Sequence, residues 1–123
     1  MAARIALTGA EHPVRITGNA EAIADALRNV IENALAHTGP GTEVIVEVGS
    51  EGTVSVLDSG PGIPVDDRPR IFDRFWRGKG ARSEGAGLGL AIVMEIARAH
   101  GASIAVSDRT PCGARFDLRF CPA

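Results

Sequence analysis

The sequence has little of what defines several common protein classes. It carries only two cysteines, Cys112 and Cys121, without CxxC spacing or neighbouring histidines, so we expect incidental thiols and no metal cluster. No apolar run approaches the roughly 20 residues that a transmembrane helix needs, and the N-terminus lacks an apolar signal region. These features predict a soluble chain in the cytosol.

Basic residues are not in excess either. Thirteen Lys and Arg stand against 15 Asp and Glu, and the net charge of −2 gives no overall field that would favour nucleic acid or a membrane surface. His12, His37 and His100 are scattered, and no Ser/His/Asp or Cys/His arrangement indicates nucleophilic catalysis. Any electrostatic recognition must therefore be local.

The apolar residues that are present follow strand and helix periodicities. A hydrophobic fraction of 45% in 123 residues predicts one domain with its own core, spanning residues 1–123. The patterns predict strands at 4–8, 14–17, 43–48, 53–58, 103–107 and 113–120, and helical segments at 20–37, 70–76 and 88–100. The first two strands are predicted to form a hairpin through residues 9–13. We expect Asn19 to cap the first helix and Gly101 to end the last.

Strands with one apolar face and two long helices predict a fold class. We expect an α+β, two-layer sandwich, in which helices cover one face of a mixed, mostly antiparallel sheet and the other face is solvated.

Residues 85–90 read Gly-Ala-Gly-Leu-Gly-Leu and run into the last predicted helix. Unshielded amides and the positive end of a helix dipole attract anions, so this junction is a candidate phosphate cradle. It is not a Walker A loop, because Lys79 is followed by Gly80, and Leu90 stands where a Rossmann fingerprint needs glycine. The alternative is a flexible loop before an ordinary core helix.

Polar residues interrupt the apolar surface of the first predicted helix. Asn29 and Asn33 are one turn apart, and Glu32 is three residues after Asn29, so the three share one edge. Amide oxygens suit Mg²⁺, which keeps much of its water shell and is shared with substrate phosphates. A solvated helix face would explain the same pattern.

Alternation within the strand at 53–58 places the Asp58 carboxylate on the inward face, where it needs a hydrogen-bond donor. Because Gly60 and Gly62 follow, a flat ligand can approach the backbone, and an exocyclic amino group such as that of adenine would be a suitable donor. The alternative is an Asx turn, in which the carboxylate accepts from nearby backbone amides.

Basic side chains lie between this loop and the glycine-rich segment. Arg74 and Arg77 are flanked by aromatic residues and would face either a phosphate or another domain. Lys79 and Arg82 fall in a polar, glycine-bearing stretch, from which they would reach a nucleotide phosphate or remain solvated. For Phe72 and Phe75, packing in the core is the commoner role of an aromatic residue.

Four motifs occur in the order of the N, G1, F and G2 boxes. They are Asn29-Val-Ile-Glu-Asn33-Ala, Asp58-Ser-Gly60-Pro-Gly62, Phe72-Asp-Arg-Phe-Trp-Arg77 and Gly85-Ala-Gly-Leu-Gly-Leu90. On these motifs the chain resembles the catalytic ATP-binding domain of bacterial two-component sensor histidine kinases, within the GHKL superfamily that includes gyrase B and heat-shock chaperone ATPases. The F box points to sensor kinases rather than to the superfamily at large.

The resemblance implies a Bergerat-type ATP-binding sandwich and a role for each motif. Asp58 would bind the adenine amino group, Asn33 would coordinate Mg²⁺, Asn29 would support the phosphates, and Glu32 would activate the acceptor histidine. Residues 76–86 would form the ATP lid. The residues implied to bind the nucleotide are Asn29, Asn33, Asp58, Gly60, Gly62, Arg74, Arg77, Lys79, Arg82, Gly85, Gly87, Leu88 and Gly89.

The chain departs from the family pattern at two positions. Ala36 stands where many members carry a basic residue, and Ala86 where Ser or Thr is usual, so we expect fewer phosphate contacts. We do not expect His12 to be the phosphoacceptor histidine, because it precedes a proline in a predicted strand pair. The resemblance implies that the dimerisation domain, which carries that histidine, is not part of this sequence. The resemblance thus implies a monomeric, cytoplasmic piece of a longer, membrane-anchored kinase, without nucleic-acid or direct membrane contact.

The leading functional hypothesis is a protein histidine kinase domain. It would bind Mg²⁺-ATP and donate the γ-phosphate to a histidine on the separate dimerisation domain, from which it passes to a response regulator. The isolated chain is expected to bind ATP with little or no turnover. The alternatives are an ATP-sensing docking module without chemistry, which Ala36 favours, and an anti-sigma-factor serine kinase, against which the intact F box counts.

Overall fold

In the described part of the chain, five strands form one sheet and two helices lie on one of its faces. The chain is described by a computed structural model over residues 4–9, 15–37, 43–49, 51–73, 89–110 and 112–120. The strands are β1 (Arg4–Thr8), β2 (Glu43–Val48), β3 (Thr53–Leu57), β4 (Ser103–Asp108) and β5 (Ala114–Arg119), and the helices are α1 (Ala20–His37) and α2 (Gly89–Ala99). The sheet order is β1-β2-β3-β5-β4; β1 and β2 are parallel and the other neighbours are antiparallel. The predicted two-layer α+β class is confirmed.

The helix α1 has the bounds that its sequence predicts. The Asn19 side chain accepts a hydrogen bond from the backbone N–H of Ala22 at 2.9 Å, which satisfies one of the amides left without a partner at a helix start. Val30 and Ala34 from its apolar stripe are fully buried against the sheet. The cap and the stripe together explain why the helix begins at Ala20 and how it is oriented.

The helix α2 ends as its glycine predicts. Gly101 has φ of +62°, its N–H donates to the Arg98 carbonyl, and the N–H of Ala102 donates to the Ala97 carbonyl at 2.8 Å. These two bonds form a Schellman cap, which satisfies carbonyl groups that the helix itself leaves unpaired.

The core lies between the sheet and the helices. Alternate residues of β5 and the residue after it, Phe116, Leu118 and Phe120, are at most 3% exposed, as are Val44 and Val56 on the neighbouring strands. Burial of such side chains contributes roughly 1.5 to 3 kcal/mol each relative to exposure. The inward faces predicted for these strands are therefore confirmed.

The connection between β1 and β2 determines where polar residues meet. Because the two strands are parallel, α1 is the crossover between them and runs antiparallel to β2. The strand β3 is antiparallel to β2, so the C-terminal end of β3 lies at the same end of the sheet as the C-terminal end of α1. Asp58, directly after β3, therefore lies at the same end of the molecule as Asn33 in the second half of α1.

The predicted hairpin between the first two strands is wrong. The strand β1 pairs with β2, and Ile16 forms only an isolated bridge among residues 15–17. Ile5 and Leu7 are 54% and 61% exposed, not half-buried, because β1 lies at the edge of the described sheet. Local alternation indicates a strand but does not specify its partner, and the register of Ile5 with Val44 decides the pairing.

The described part of the short helix predicted at 70–76, residues 70–73, forms turns and not a regular helix. A 3₁₀ turn covers Val65–Asp67, and successive turns follow through Phe72, held by the bonds from Arg70 N–H to Asp67 O and from Asp73 N–H to Arg70 O. Phe72 packs against the core as predicted. Residues 74–76 lie outside the described part of the chain.

Within the described residues, neither helix combines the length and the hydropathy of a bilayer-spanning segment.

Candidate functional site

Asp58 is the most deeply buried charged residue of the described chain, at 3% exposure. Its Oδ1 accepts two backbone hydrogen bonds, from Gly60 N–H at 2.9 Å and from Ala114 N–H at 3.1 Å. Its own N–H donates to the Ala114 carbonyl at 3.0 Å, so main chain and side chain both attach to β5. The carboxylate is thereby fixed in orientation, with both bonds on one oxygen.

These bonds show that the two explanations for Asp58 are compatible. The bond to Gly60 is the Asx turn that the alternative predicts. It occupies Oδ1, and Oδ2 is the oxygen that remains for a ligand in the proposed role.

Gly113 is a residue that the sequence did not mark as part of this site. It has φ of +111°, and a Cβ at this position would lie 2.0 Å from the Asp58 carbonyl oxygen. Only glycine allows β5 to approach Asp58 so closely, and the approach brings the Ala114 N–H to the carboxylate. In the sequence Gly113 looks like any turn glycine before a strand, so no local signal distinguishes it.

A small pocket joins the Asp58 loop to α1. It is lined by Asn33, Asp58, Gly62, Ile63 and Ala114. Gly62 has φ of +81°, which keeps the loop in a conformation that side chains disfavour. Two residues from separate motifs, Asn33 and Asp58, which are 25 positions apart in sequence, thus border one pocket.

Asn29 lies one turn before Asn33 and faces the start of α2. Its amide group donates to the Asp25 carbonyl at 2.8 Å, which directs Oδ1 away from its own helix. A Cβ on Gly89 would lie 3.2 Å from that Oδ1. Asn29 therefore borders the first residue of α2, where helix amides point out of the helix end.

The Glu32 side chain is exposed on α1. Solvent exposure is what a group acting on a partner molecule requires. The exposure alone does not distinguish that role from a solvated helix face.

The structure thus brings Asn33, Asp58 and Gly62 to one pocket and sets Asn29 beside Gly89, while Gly60 donates to the Asp58 carboxylate. The other predicted nucleotide-binding residues lie outside the described residues: Arg74, Arg77, Lys79, Arg82, Gly85, Gly87 and Leu88. Their roles and the lid at 76–86 stay predictions, as do those of the described residues.

A wider, open trough lies on the opposite face of the sheet, and we do not assign the nucleotide to it. Its charged groups pair with one another: Arg115 lies 3.0 Å from the Asp117 carboxylate and 4.0 Å from that of Glu47. Ser55 donates to Asp117 on the same surface. The sheet separates this trough from Asp58.

Comparison with known proteins identifies the family to which a chain with this fold and this pocket belongs. Residues 18–123 match the family of histidine kinase-, DNA gyrase B- and HSP90-like ATPases. The chain belongs to this family, whose members carry an ATP-binding domain. The resemblance inferred from the four motifs is confirmed.

The curated relatives are sensor kinases. The chain is 42% identical over 102 residues to the probable sensor histidine kinase TcrY of Mycobacterium tuberculosis, covering 78% of this chain and 22% of that protein. It is 44% identical over 96 residues to the signal transduction histidine-protein kinase AfsQ2 of Streptomyces coelicolor, covering 76% of this chain and 18% of that protein. The chain thus spans about a fifth of the length of these relatives.

Solved structures agree with the fold. The mycobacterial sensor histidine kinase MprB superposes with a TM-score of 0.78 at 30% identity, over 99% of this chain and 83% of that one. Full-length ShkA, solved in complex with AMPPNP, gives 0.75 at 32% identity, over 98% of this chain and 26% of that one. A histidine kinase catalytic domain, that of ThkA, gives 0.79 at 29% identity, over 98% and 79%.

Proposed function

We propose that the chain is the ATP-binding domain of a sensor histidine kinase, which presents the γ-phosphate of ATP to a histidine on another domain. The observation that supports this most directly is the buried Asp58 carboxylate, held by Gly60 and Ala114 at a pocket that Asn33 also lines. In the proposal residues 1–123 form a single domain, and the dimerisation and sensor domains are separate. The whole protein is anchored in the membrane, with this domain in the cytoplasm.

The base is recognised at the Asp58 end of the site. Oδ2 accepts a hydrogen bond from the adenine amino group, and Gly62, which lines the same pocket, presents no side chain to the flat ring. A charged acceptor at a buried position favours an amino group strongly over a carbonyl, which has no proton to donate.

The phosphates lie toward α2. The residues there fit a Mg²⁺-nucleotide, because Asn33 offers an amide oxygen beside the pocket, and among the described residues no group of three or more His, Cys, Asp or Glu forms a rival metal site. When bound, Mg²⁺ neutralises phosphate charge. Asn29 and the amides at the start of α2 orient the phosphate chain, helped by the glycines and basic residues between 74 and 88.

Transfer is then chiefly a matter of position and charge. The acceptor imidazole nitrogen forms a bond to the γ-phosphorus as the bond to the β,γ-bridging oxygen breaks, and ADP leaves. Glu32, exposed on α1, takes the proton that the imidazole loses. The phosphoryl group passes next to an aspartate of a response regulator.

Mixing the chain with a separately prepared dimerisation domain and γ-labelled ATP tests this proposal. Acid-labile phosphohistidine on the dimerisation domain is the expected product. ATP binding without transfer would instead support the non-catalytic docking module, and phosphoserine on an antagonist protein would support a serine kinase. Binding itself is measured by titrating Mg²⁺-ATP against the fluorescence of Trp76, the one tryptophan of the sequence.

A variant of Glu32 tests the proton acceptor separately. Glu32→Gln should retain ATP affinity, since the side chain is exposed away from the pocket, and lower the transfer rate about 100-fold or more. Glu21→Gln, another exposed carboxylate on α1, is the matched control and should transfer at the parent rate. Equal transfer rates for both variants would exclude Glu32 from the chemistry.

A further inference from the structure

His100 joins the N-terminal end of α1 to the C-terminal end of α2. Its Nε2 accepts a hydrogen bond from the backbone N–H of Asn19, the N-cap of α1, at 3.0 Å. Its Nδ1 lies 2.8 Å from the Ile96 carbonyl in the last turn of α2. A carbonyl only accepts, so Nδ1 carries the proton and Nε2 presents its lone pair to α1. The neutral ring is thus a bridge between the two helices.

The bridge replaces a contact that helix starts often make within their own chain. In a capping box, a Glu or Gln three residues after the N-cap accepts the N-cap N–H. Here that position is Ala22, whose side chain has no acceptor. His100, directly after α2, accepts the Asn19 N–H instead.

Gly18 leaves room for the ring. A Cβ on Gly18 would lie 2.5 Å from His100 Cδ2 and 3.0 Å from Nε2. The imidazole is therefore in close contact with the backbone just before α1. This close fit restricts the ring to the position from which it bridges the helices.

The helices run antiparallel, and the bridge lies opposite the candidate phosphate site. His100 meets Asn19 at one end, and Gly89 meets Asn29 at the other. The two contacts are ten residues apart on α1 and eleven on α2, or about 15 and 16.5 Å at 1.5 Å per residue. A shift of α2 along α1 at the His100 end would therefore move Gly89 relative to Asn29 by the same amount.

The other contacts that restrain such a shift are mainly apolar. The buried residues contributed by α2 are Ala91, Val93 and Ala97, and α1 contributes Ala26, Val30 and Ala34. Larger, partly buried side chains of both helices pack against the same core, among them Leu27 of α1 and Ile96 of α2, and apolar contact is non-directional. The hydrogen bond from Asn19 to His100 adds a directional constraint at one end of the helix pair.

We propose that His100 is a positioning residue, which sets the axial position of α2 on α1 and so holds the start of α2 beside Asn29 for the phosphates of ATP. This inference rests on the proposed function, because it assigns the phosphates to that end of α2. Its consequence is specific: loss of the bridge weakens binding of the triphosphate but not of the base.

The test compares ATP with adenosine, using the 123-residue chain in Mg²⁺-containing buffer. His100→Ala should weaken ATP binding about three- to tenfold, the effect of one lost hydrogen bond, and leave adenosine binding within about twofold. His100→Gln, whose Oε1 can accept the Asn19 N–H, should recover most of the loss. Gly18→Ala displaces the ring without changing His100 and should reproduce the selective loss. Arg98→Ala, an exposed change in the same turn of α2, is the control.

Calorimetry for ATP and chemical-shift titration for adenosine are done at a temperature where each variant is fully folded by circular dichroism. If His100→Ala does not fold, Gly18→Ala serves as the variant that loses the bridge, and His100→Gln serves as the variant that retains it. Unchanged ATP affinity in His100→Ala or Gly18→Ala, or an equal loss for ATP and adenosine in them, would overturn the positioning role. A parent chain that binds no ATP would refute the proposed function itself, and this inference with it.

Discussion

The substitution Asp58→Asn tests the base-binding role without removing the structural one. The backbone N–H groups of Gly60 and Ala114 both donate to Oδ1 and need an acceptor there. They therefore force the amide oxygen of the new side chain into that place and its NH₂ group into the place of Oδ2. The donor that replaces Oδ2 would face the amino group of adenine, which is also a donor.

The expected loss is about 1 to 3 kcal/mol of binding free energy, or roughly 5- to 150-fold in ATP affinity, because a charged acceptor in a buried site becomes a mismatched donor. Adenosine should lose the same factor. Guanine presents a carbonyl where adenine has its amino group, so GTP should lose less than ATP, and the preference for ATP should fall. Calorimetric titration of the three ligands measures these differences.

Two further variants make the result interpretable. Asp66→Asn removes the same charge from an exposed carboxylate in the 3₁₀ turn and should bind ATP as the parent does. Asp58→Ala leaves the buried N–H groups of Gly60 and Ala114 without an acceptor, and should lower stability by about 1 to 3 kcal/mol or more, whereas Asp58→Asn keeps both bonds. Parent-like ATP affinity in folded Asp58→Asn would refute the adenine assignment.

Two other residues give independent predictions. Asn33→Ala should shrink the difference between ATP affinities measured with and without Mg²⁺ by about 5- to 30-fold, if its amide oxygen is a metal ligand; an unchanged difference in paired titrations argues against that role. Gly113→Ala should lower the thermal unfolding midpoint by roughly 10 °C or more, since its Cβ would collide with the Asp58 carbonyl. Gly101→Ala also places alanine at a positive φ, +62° against +111° at Gly113, but with open space around it, and should cost only a few degrees; equal losses would show that the collision is not the cause.

The parts of the fold that depend on local pattern were predictable. Asn19 begins α1 and Gly101 follows α2 because capping residues satisfy backbone groups within a few positions of themselves. Strand partners are different, since the choice between β2 and residues 14–17 for β1 depends on contacts distant in sequence. The alternation of Ile5 and Leu7 carries no information about that choice, and both residues are largely exposed.

The candidate site shows the same division. Asn33 and Asp58 were identified by residue type and position, because a polar group on an apolar face is visible in the sequence. Gly113 and His100 were not, since each acts by fitting against a residue far away in the chain: Gly113 against Asp58, and His100 against Asn19. Nothing in the neighbourhood of either residue indicates the distant contact.

The part of the site proposed to bind the base and the part proposed to bind the phosphates are held by different elements of the fold. Substitutions in the two parts should therefore have separable effects on ligand binding. The base-binding part belongs to the sheet, because Asp58 is fixed by hydrogen bonds to the backbone of β5. The phosphate-binding part lies where α1 and α2 meet, and there Gly89 lies beside the Asn29 side chain. Changes at Asp58 should therefore weaken adenosine and ATP by one common factor, whereas changes at His100 should affect ATP alone. If a variant of Asp58 weakened ATP alone, or a variant of His100 weakened adenosine as much as ATP, the base-binding and phosphate-binding parts would not act independently.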